Sequence, residues 1–243
     1  MDLNFLSALQ KNLVITKDFY SNSSSGKSES IDFMKFCLEN FMISHSQIFQ
    51  DLLVLFLLNK KENGFFVEFG AANGKERSNS FLLEKRFGWN GILSEPALHW
   101  HHQLKWNRSC VVDKRCVWGK SGEYLRFKEA ANPELSTIAE FSTKDMHSAS
   151  RQNSIEYLVE TISLEDLLAT HQAPNSIDYL SIDTEGSEYE ILSNFDFKKW
   201  DINIITVEHN FTEQRAIISN LLESHGYRNI MPEFSQFDDW YVK

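Results

Sequence analysis

Apolar positions along the chain gather into short runs separated by stretches of helical spacing, the alternation of strand and helix that builds an α/β domain. One stretch organises the rest: Phe65-Phe66-Val67-Glu68-Phe69-Gly70-Ala71-Ala72-Asn73-Gly74. Its unbroken apolar start suits a parallel strand covered on both faces. Gly70 and Gly74, with small residues between them, suit a tight loop beneath a ligand.

Upstream, Phe33, Phe36, Cys37 and Phe41 predict a helix over 31–41. Ser46, Lys60, Lys61 and Gly64 bound a second over 46–58. After the loop come a helix from Asn79 to Gly88, a strand at 91–94 stopping at Glu95-Pro96, and a helix at 97–106. A third strand with its turn spans 109–118, and an added strand 122–128. Residues 132–154 are polar and mixed, and read as a substrate-facing insertion or lid. Residues 161–163 read as a strand end, and Ser163 with Asp166 is close to a capping box and starts a helix. A fourth strand, 177–182, ends in Asp183-Thr184-Glu185-Gly186, and a helix follows at 187–192. A fifth strand, 202–207, ends in Glu208-His209-Asn210 and leads to a helix at 214–224. The runs 227–231 and 240–242 lack room between them for a crossover helix, so they pair antiparallel.

Residues 1–20 carry scattered apolar positions of a short helix, and 21–30 are Ser-rich, the composition of a flexible link. The chain therefore divides into an N-terminal extension and linker, 1–30, and one domain, 31–243. At 243 residues and 42% hydrophobic content it excludes global disorder. A net charge of -10 argues against nucleic acid and anionic membrane surfaces as partners. The longest apolar run, 52–58, falls far short of the ~20 residues a bilayer requires. The first residues lack the pattern of a secretory leader. Cys37, Cys110 and Cys116 are odd in number and without metal-type spacing, which fits reduced thiols and a cytoplasmic setting.

Strand ends collect the polar residues: Glu68 with Gly70, then Glu95, then Asp183 and Glu185, then Glu208, His209 and Asn210. In an open α/β sheet that edge binds ligands. The glycine loop runs toward a helix N-terminus, where amide hydrogens favour an anionic group. Glu95 stands 21 residues after Gly74, where an acid receives ribose hydroxyls in nucleotide-binding units. The dinucleotide pattern itself is broken, because Ala72 occupies the place of a glycine. An acid at Glu68, aimed at the loop, suits a ligand with a positive centre, such as S-adenosylmethionine. The reversed final pair points to a methyltransferase sheet rather than a dehydrogenase one.

On these residues the sequence resembles the FkbM family of S-adenosylmethionine-dependent methyltransferases, over 46–242. The resemblance is carried by Ser46-Gln47, Gln50-Asp51, the segment 66–71 with Gly74, Ser78-Asn79-Ser80, Gly88-Trp89, Gly91, Glu95-Pro96, Ile182-Asp183, Glu185-Gly186, Glu188, 207–210 and 239–242. It implies a class I methyltransferase (Rossmann-like) fold: a mostly parallel seven-stranded sheet, an antiparallel last strand and helices on both faces. It implies that Glu68, Gly70, Ala71 and Gly74 line the methionine part of the cofactor. Asn73, Ser78, Asn79, Pro96 and Asp183 belong to the same cofactor set, and Glu95 serves the ribose. Phe81 after Ser80 and Ala72-Asn73 in the loop depart from the family's commoner residues without abolishing binding.

The implied reaction is methylation of a hydroxyl on a small-molecule or glycan acceptor, with Asp183 beneath the acceptor and Glu185 or His209 as base. A second mechanism lets Asp183, Glu208 and either His209 or Asn210 hold Mg²⁺. Blander readings stand beside these. Glu185 can serve only a helix N-terminus, Glu208 can be a buried carboxylate, and His209 a core histidine. Gln47 and Gln50 can be solvent-facing caps; Trp100, Trp106 and Trp240 read as core, and His99, His101 and His102 as a solvated helix face. The rival functions are a nicotinamide-dependent oxidoreductase and a catalytically silent methyltransferase-like interaction domain.

Overall fold

The computed structural model describes residues 27–142, 148–151 and 153–243. The short helix expected in 1–20 and part of the 132–154 insertion lie outside them. The strands in chain order are β1 (Phe65–Phe69), β2 (Asn90–Ser94), β3 (Val111–Asp113), β4 (Cys116–Trp118), β5 (Tyr124–Ala130) and β6 (Thr137–Ile138). They continue as β7 (Ser154–Ser163), β8 (Ser176–Ile182), β9 (Asp201–Glu208), β10 (Arg228–Ile230) and β11 (Asp238–Val242). The helices are α1 (Lys27–Asn40), α2 (Gln50–Leu57), α3 (Phe81–Phe87), α4 (His101–Asn107), α5 (Leu164–Thr170), α6 (Glu188–Ser193), α7 (Gln214–Ser224) and α8 (Pro232–Ser235).

Seven strands form one sheet in the order β10-β11-β9-β8-β1-β2-β3. Pairs within β9-β8-β1-β2-β3 are parallel, whereas β11 runs antiparallel to both β9 and β10. This is the class I methyltransferase arrangement expected from the sequence. β1 lies in the middle, between β8 and β2, so its residues are buried on both faces. Side chains alternate across a strand. Phe66, Leu93, Tyr179, Ile204 and Trp240 therefore pack in one core with α1 and α2, while Val67, Ile92, Leu180 and Ile205 pack in the other with α5, α6 and α7. Glu68 shares the face of Phe66, and that alternation decides what it meets.

The expected link 21–30 is cut short, because α1 begins at Lys27. Its Phe33 is fully buried and meets Phe234 and Trp240 edge-on, at ring separations of 5.5 and 5.9 Å. Burial of such a ring outweighs the polar composition that suggested a linker. α2 starts at Gln50, later than Ser46, because the buried Asp51 carboxylate accepts bonds from the Ser44 and Ser46 hydroxyls and the His45 amide. The α5 start is as expected, with Ser163 Oγ accepting the Asp166 amide at 3.1 Å.

A second sheet, β4-β7-β5-β6, was only partly foreseen. β4 leaves the main sheet and pairs with β7, and β7 begins at Ser154, inside the region expected to be an insertion. Trp106 corrects its expected place in the core: it is 85% exposed.

Candidate functional site

The parallel strands end together, and a cavity of about 220 Å³ opens at their carboxyl ends. Its walls come from the β1 loop (Glu68 to Ala72), the β2 tip (Ser94 to Pro96), the β8 tip (Asp183 to Glu185) and Glu208 of β9. Trp100, Val117 and Phe127 form an apolar part, and Leu135 and Ile138 of the expected lid also line it. Trp100, read as core, thus faces the site. So does Gln47, whereas Gln50 is buried and donates to Asp238 at 2.8 Å.

Gly70 has φ +70°, and a Cβ there would stand 1.7 Å from the Asp183 carbonyl oxygen. The glycine brings the β1 and β8 turns into contact and leaves the loop without a side chain. Next to it the Ala72 amide donates to Glu95 Oε2 at 2.9 Å, and the Ala97 amide to Oε1 at 2.8 Å. Burial nevertheless raises the Glu95 carboxyl to about 7, because two neutral donors do not replace its lost hydration. Each oxygen retains capacity for a ligand hydroxyl.

Glu68 was expected to face a cationic ligand; it does line the cavity, and its carboxylate is also engaged by the protein itself. Its carboxylate accepts Ser78 Oγ at 3.0 Å and the Asn79 amide at 2.8 Å, and it also accepts the Ser80 hydroxyl. The helix N-terminus after the loop is therefore filled by the protein's own acid, leaving no vacancy for a ligand anion. Arg108, fully buried, lies 3.6 Å from Glu68, bonds Glu84 at 2.6 Å and reaches the Gly74 carbonyl at 3.1 Å. Burial alone would raise the Glu84 carboxyl, yet the Arg108 charge brings it down to about 2. Gly74 is a packing glycine, since a Cβ would meet Arg108 and Leu104 side chains at 2.8 Å. Asn73 ties the turn through the Lys75 and Glu76 amides, both at 2.9 Å. Asn73, Gly74, Ser78 and Asn79 thus support the loop from behind and do not line the cavity. Asn79 donates to Ser181 at 2.9 Å while its Oδ1 stays buried without a partner.

Asp183 and Glu208 project from adjacent strand ends, and with Glu185 they offer carboxylate oxygens within 4.8 Å of one another. Burial raises Asp183 to about 6 against a hydrogen bond with Glu208, and burial and the Asp183 charge hold Glu208 well above the ordinary range. The two hold one proton between them. Glu185, with φ 58°, is gripped by the insertion: Arg151 donates to its Oε2 at 2.9 Å and Thr137 to its carbonyl at 2.8 Å. Arg151, itself 1% exposed, also donates to the Leu135 carbonyl at 2.5 Å. Neither arginine stood out in sequence, because Arg151 meets the Glu185 carboxylate 34 positions away and Arg108 lies beside Glu68, 40 positions away. A charged residue in a polar or capping context gave no signal of its own.

His209 was a candidate base and metal ligand, and its ring is already committed. Nε2 lies 3.0 Å from the Asp238 carbonyl, and Nδ1 accepts the Phe211 amide at 3.0 Å. Burial lowers its pKa, which keeps the neutral form that this pairing requires. Asn210 donates to Glu208 at 2.7 Å. The donor set expected for Mg²⁺ is not assembled as a whole: His209 has no free nitrogen, Asn210 is bonded to Glu208, and Glu185, which joins Asp183 and Glu208 in the carboxylate cluster, already has the Arg151 guanidinium beside it. S-adenosylmethionine fits better. An uncharged glycine loop and an acid at the β2 tip with acceptor capacity are what its ribose and close backbone approach require.

The methyltransferase FkbM domain profile matches residues 68–229, more than half of the chain. The chain belongs to the FkbM methyltransferase domain family. The matched span covers every strand tip around the cavity. No curated protein matches the sequence. Among solved structures, precorrin-6y C5,15-methyltransferase from Geobacter metallireducens is 10% identical, with TM-score 0.43 over 79% of this chain and 85% of that one. Methyltransferase FkbM from Methylobacillus flagellatus is 11% identical, with TM-score 0.43, over 88% of this chain and 60% of that one. The fibrillarin pre-rRNA processing protein of Methanococcus jannaschii is 10% identical, with TM-score 0.35, over 75% and 66%.

Proposed function

We propose that the protein binds S-adenosylmethionine in the strand-edge cavity and methylates a hydroxyl oxygen of a small-molecule or glycan acceptor. The observation that carries this reading is the Asp183–Glu208 carboxyl pair at the cavity wall, directly beyond the Gly70 loop. When bound, the cofactor supplies an electrophilic methyl carbon, whose C–S bond breaks as the acceptor oxygen bonds to it. Glu95 accepts hydrogen bonds from ribose hydroxyls, and Gly70 and Ala71 give close approach to the backbone. An alcohol must lose its proton as it is alkylated, and the ionised member of the Asp183–Glu208 pair accepts it. Glu185, held by Arg151, orients the approach, and the neutral His209 orders the turn behind Glu208.

Calorimetry with purified protein tests the reading. Binding of S-adenosylmethionine and S-adenosylhomocysteine, with NADH failing to bind, is the expected result. Tighter binding of NADH would transfer the assignment to an oxidoreductase. Absence of all three would favour a silent interaction domain.

A further inference from the structure

Beyond the Asp183–Glu208 pair lies a second cavity, of about 540 Å³, and it shares Glu185 and Glu208 with the first. The two cavities thus meet at Glu208, one member of the pair assigned to proton removal, and at Glu185. At its mouth stands Phe211, 64% exposed, which is an unusual place for a large apolar ring. The ring is nonetheless fixed. Its own amide bonds His209 Nδ1 at 3.0 Å, and its face meets the His209 ring edge-on with centroids 5.3 Å apart. Asn210 and Phe211 both hold positive φ, 44° and 57°, to present it there. Phe141 lines the cavity as a second ring.

The polar lining is rich in hydrogen-bond acceptors. Gln214 Oε1 is buried without a partner, and Glu213 is exposed at the rim. Glu188 and Glu208 add further carboxyl oxygens. Among the described residues no Lys or Arg lines this cavity. An acceptor-rich wall calls for a ligand rich in O–H donors, and flat apolar rings suit the C–H face of a sugar ring. Of the lining acids, Glu185 is paired with Arg151 and burial holds Glu208 toward its neutral form, so it is the exposed Glu213 at the rim that repels a carboxylate, sulfate or phosphate on that ligand.

We propose that this second cavity is the acceptor subsite, and that it takes an uncharged pyranose-type polyol while refusing acidic sugars. The proposal rests on the methyltransferase reading and adds to it the acceptor's route and charge. Phe211 is the platform, Gln214 and Glu213 read donor hydroxyls, and Glu208 stands between the bound polyol and the cofactor cavity.

Saturation-transfer NMR on the full chain loaded with S-adenosylhomocysteine tests it, with methyl glucoside and the matching methyl glucuronide as probes. Glucoside signals that are lost in Phe211→Ala, and no glucuronide signal until Glu213→Lys is introduced, support the subsite. Both substitutions are at exposed positions, and retained S-adenosylhomocysteine binding shows that each variant is folded. Equal signals from the two sugars, an unchanged glucoside signal in Phe211→Ala, or no sugar signal in a cofactor-loaded protein would overturn it. Failure to bind S-adenosylhomocysteine at all would instead remove the methyltransferase reading on which it rests.

Discussion

Gly70 presses its α-carbon against the Asp183 carbonyl so closely that a single added carbon would lie 1.7 Å from that oxygen. The oxygen is backbone and belongs to the turn that carries the Asp183 carboxyl, so it cannot swing aside cheaply. Gly70→Ala is expected to destabilise the fold by about 1–3 kcal/mol, as overpacking does. Cofactor affinity is expected to fall further than stability, because separating the β1 and β8 turns misaligns the cavity walls. Thermal melts and calorimetry on the same variant check this. Unchanged values in both would show that the two turns are not in contact.

Arg108 is the buried hub behind the loop, and its removal leaves Glu68 without its counter-charge and Glu84 with Lys85 alone. Arg108→Met is expected to cost about 3–5 kcal/mol, the usual penalty for orphaning buried charge. Arg108→Lys should recover only part, since an ammonium cannot reach Glu84, the Gly74 carbonyl and the Ser78 and Ser80 hydroxyls at once. Urea denaturation of the three proteins orders them.

Stability should decline on the alkaline side. Burial raises Asp183 to about 6, Glu95 to about 7 and Asp238 to about 8, so the folded state keeps protons that the unfolded chain releases near pH 4. Their contribution is fully present below that ordinary range and is lost as pH rises through the folded values. Glu84 and Asp113, both at about 2, act oppositely and lose their contribution only as pH falls toward 2. Melting temperature is therefore expected to fall from pH 5 toward pH 9, with a shallower slope in Asp238→Asn. A flat profile for the parent protein would contradict the buried-acid reading.

Ionisation of Asp183 also separates the two forms of the cofactor. S-adenosylmethionine carries a sulfonium and its demethylated product does not. Affinity for the charged form is expected to rise several-fold as pH climbs through about 6, with little change for the product, and Asp183→Asn should erase the difference. Parallel titrations at pH 5 and pH 8 measure it.

Arg77 and Glu134 form an ion pair between the β1 loop and the insertion, and both line the cofactor cavity. Their side chains are 56% and 28% exposed, so the pair is worth under about 1 kcal/mol to stability. Arg77→Ala should leave the melting temperature nearly unchanged and speed release of bound S-adenosylhomocysteine, measured by stopped-flow displacement. An unaltered release rate would show that the pair does not restrain the insertion.

The sheet was legible because its strands are short apolar runs with polar tips, and the tips at 68–70, 95, 183–185 and 208–210 do come to one edge. What those tips do was less legible. Glu68 lies on the Phe66 face, so at the cavity wall alternation commits its carboxylate to Ser78, Ser80 and Arg108. His209 has the residue type of a base, yet its bonds to Asp238 and Phe211 are invisible until the chain folds. Of β7 only the end at 161–163 was legible, because both of its faces are partly exposed along most of its length, which blurs a period-two pattern. Arg151 sits in the polar insertion, and only the return of β7 beside β5 brings it to Glu185.

β11 is inserted between β9 and β10 although it follows both in the chain. During synthesis, β9 and β10 emerge with a gap between them that no earlier segment fills, and the Phe33 ring of α1 waits for Trp240. Until β11 docks, β9 and β10 each keep an edge unpaired and the Phe33 ring lacks its Trp240 neighbour. Its docking is the insertion of a strand between two others, a stage at which a chaperone that shields sheet edges would have much to protect.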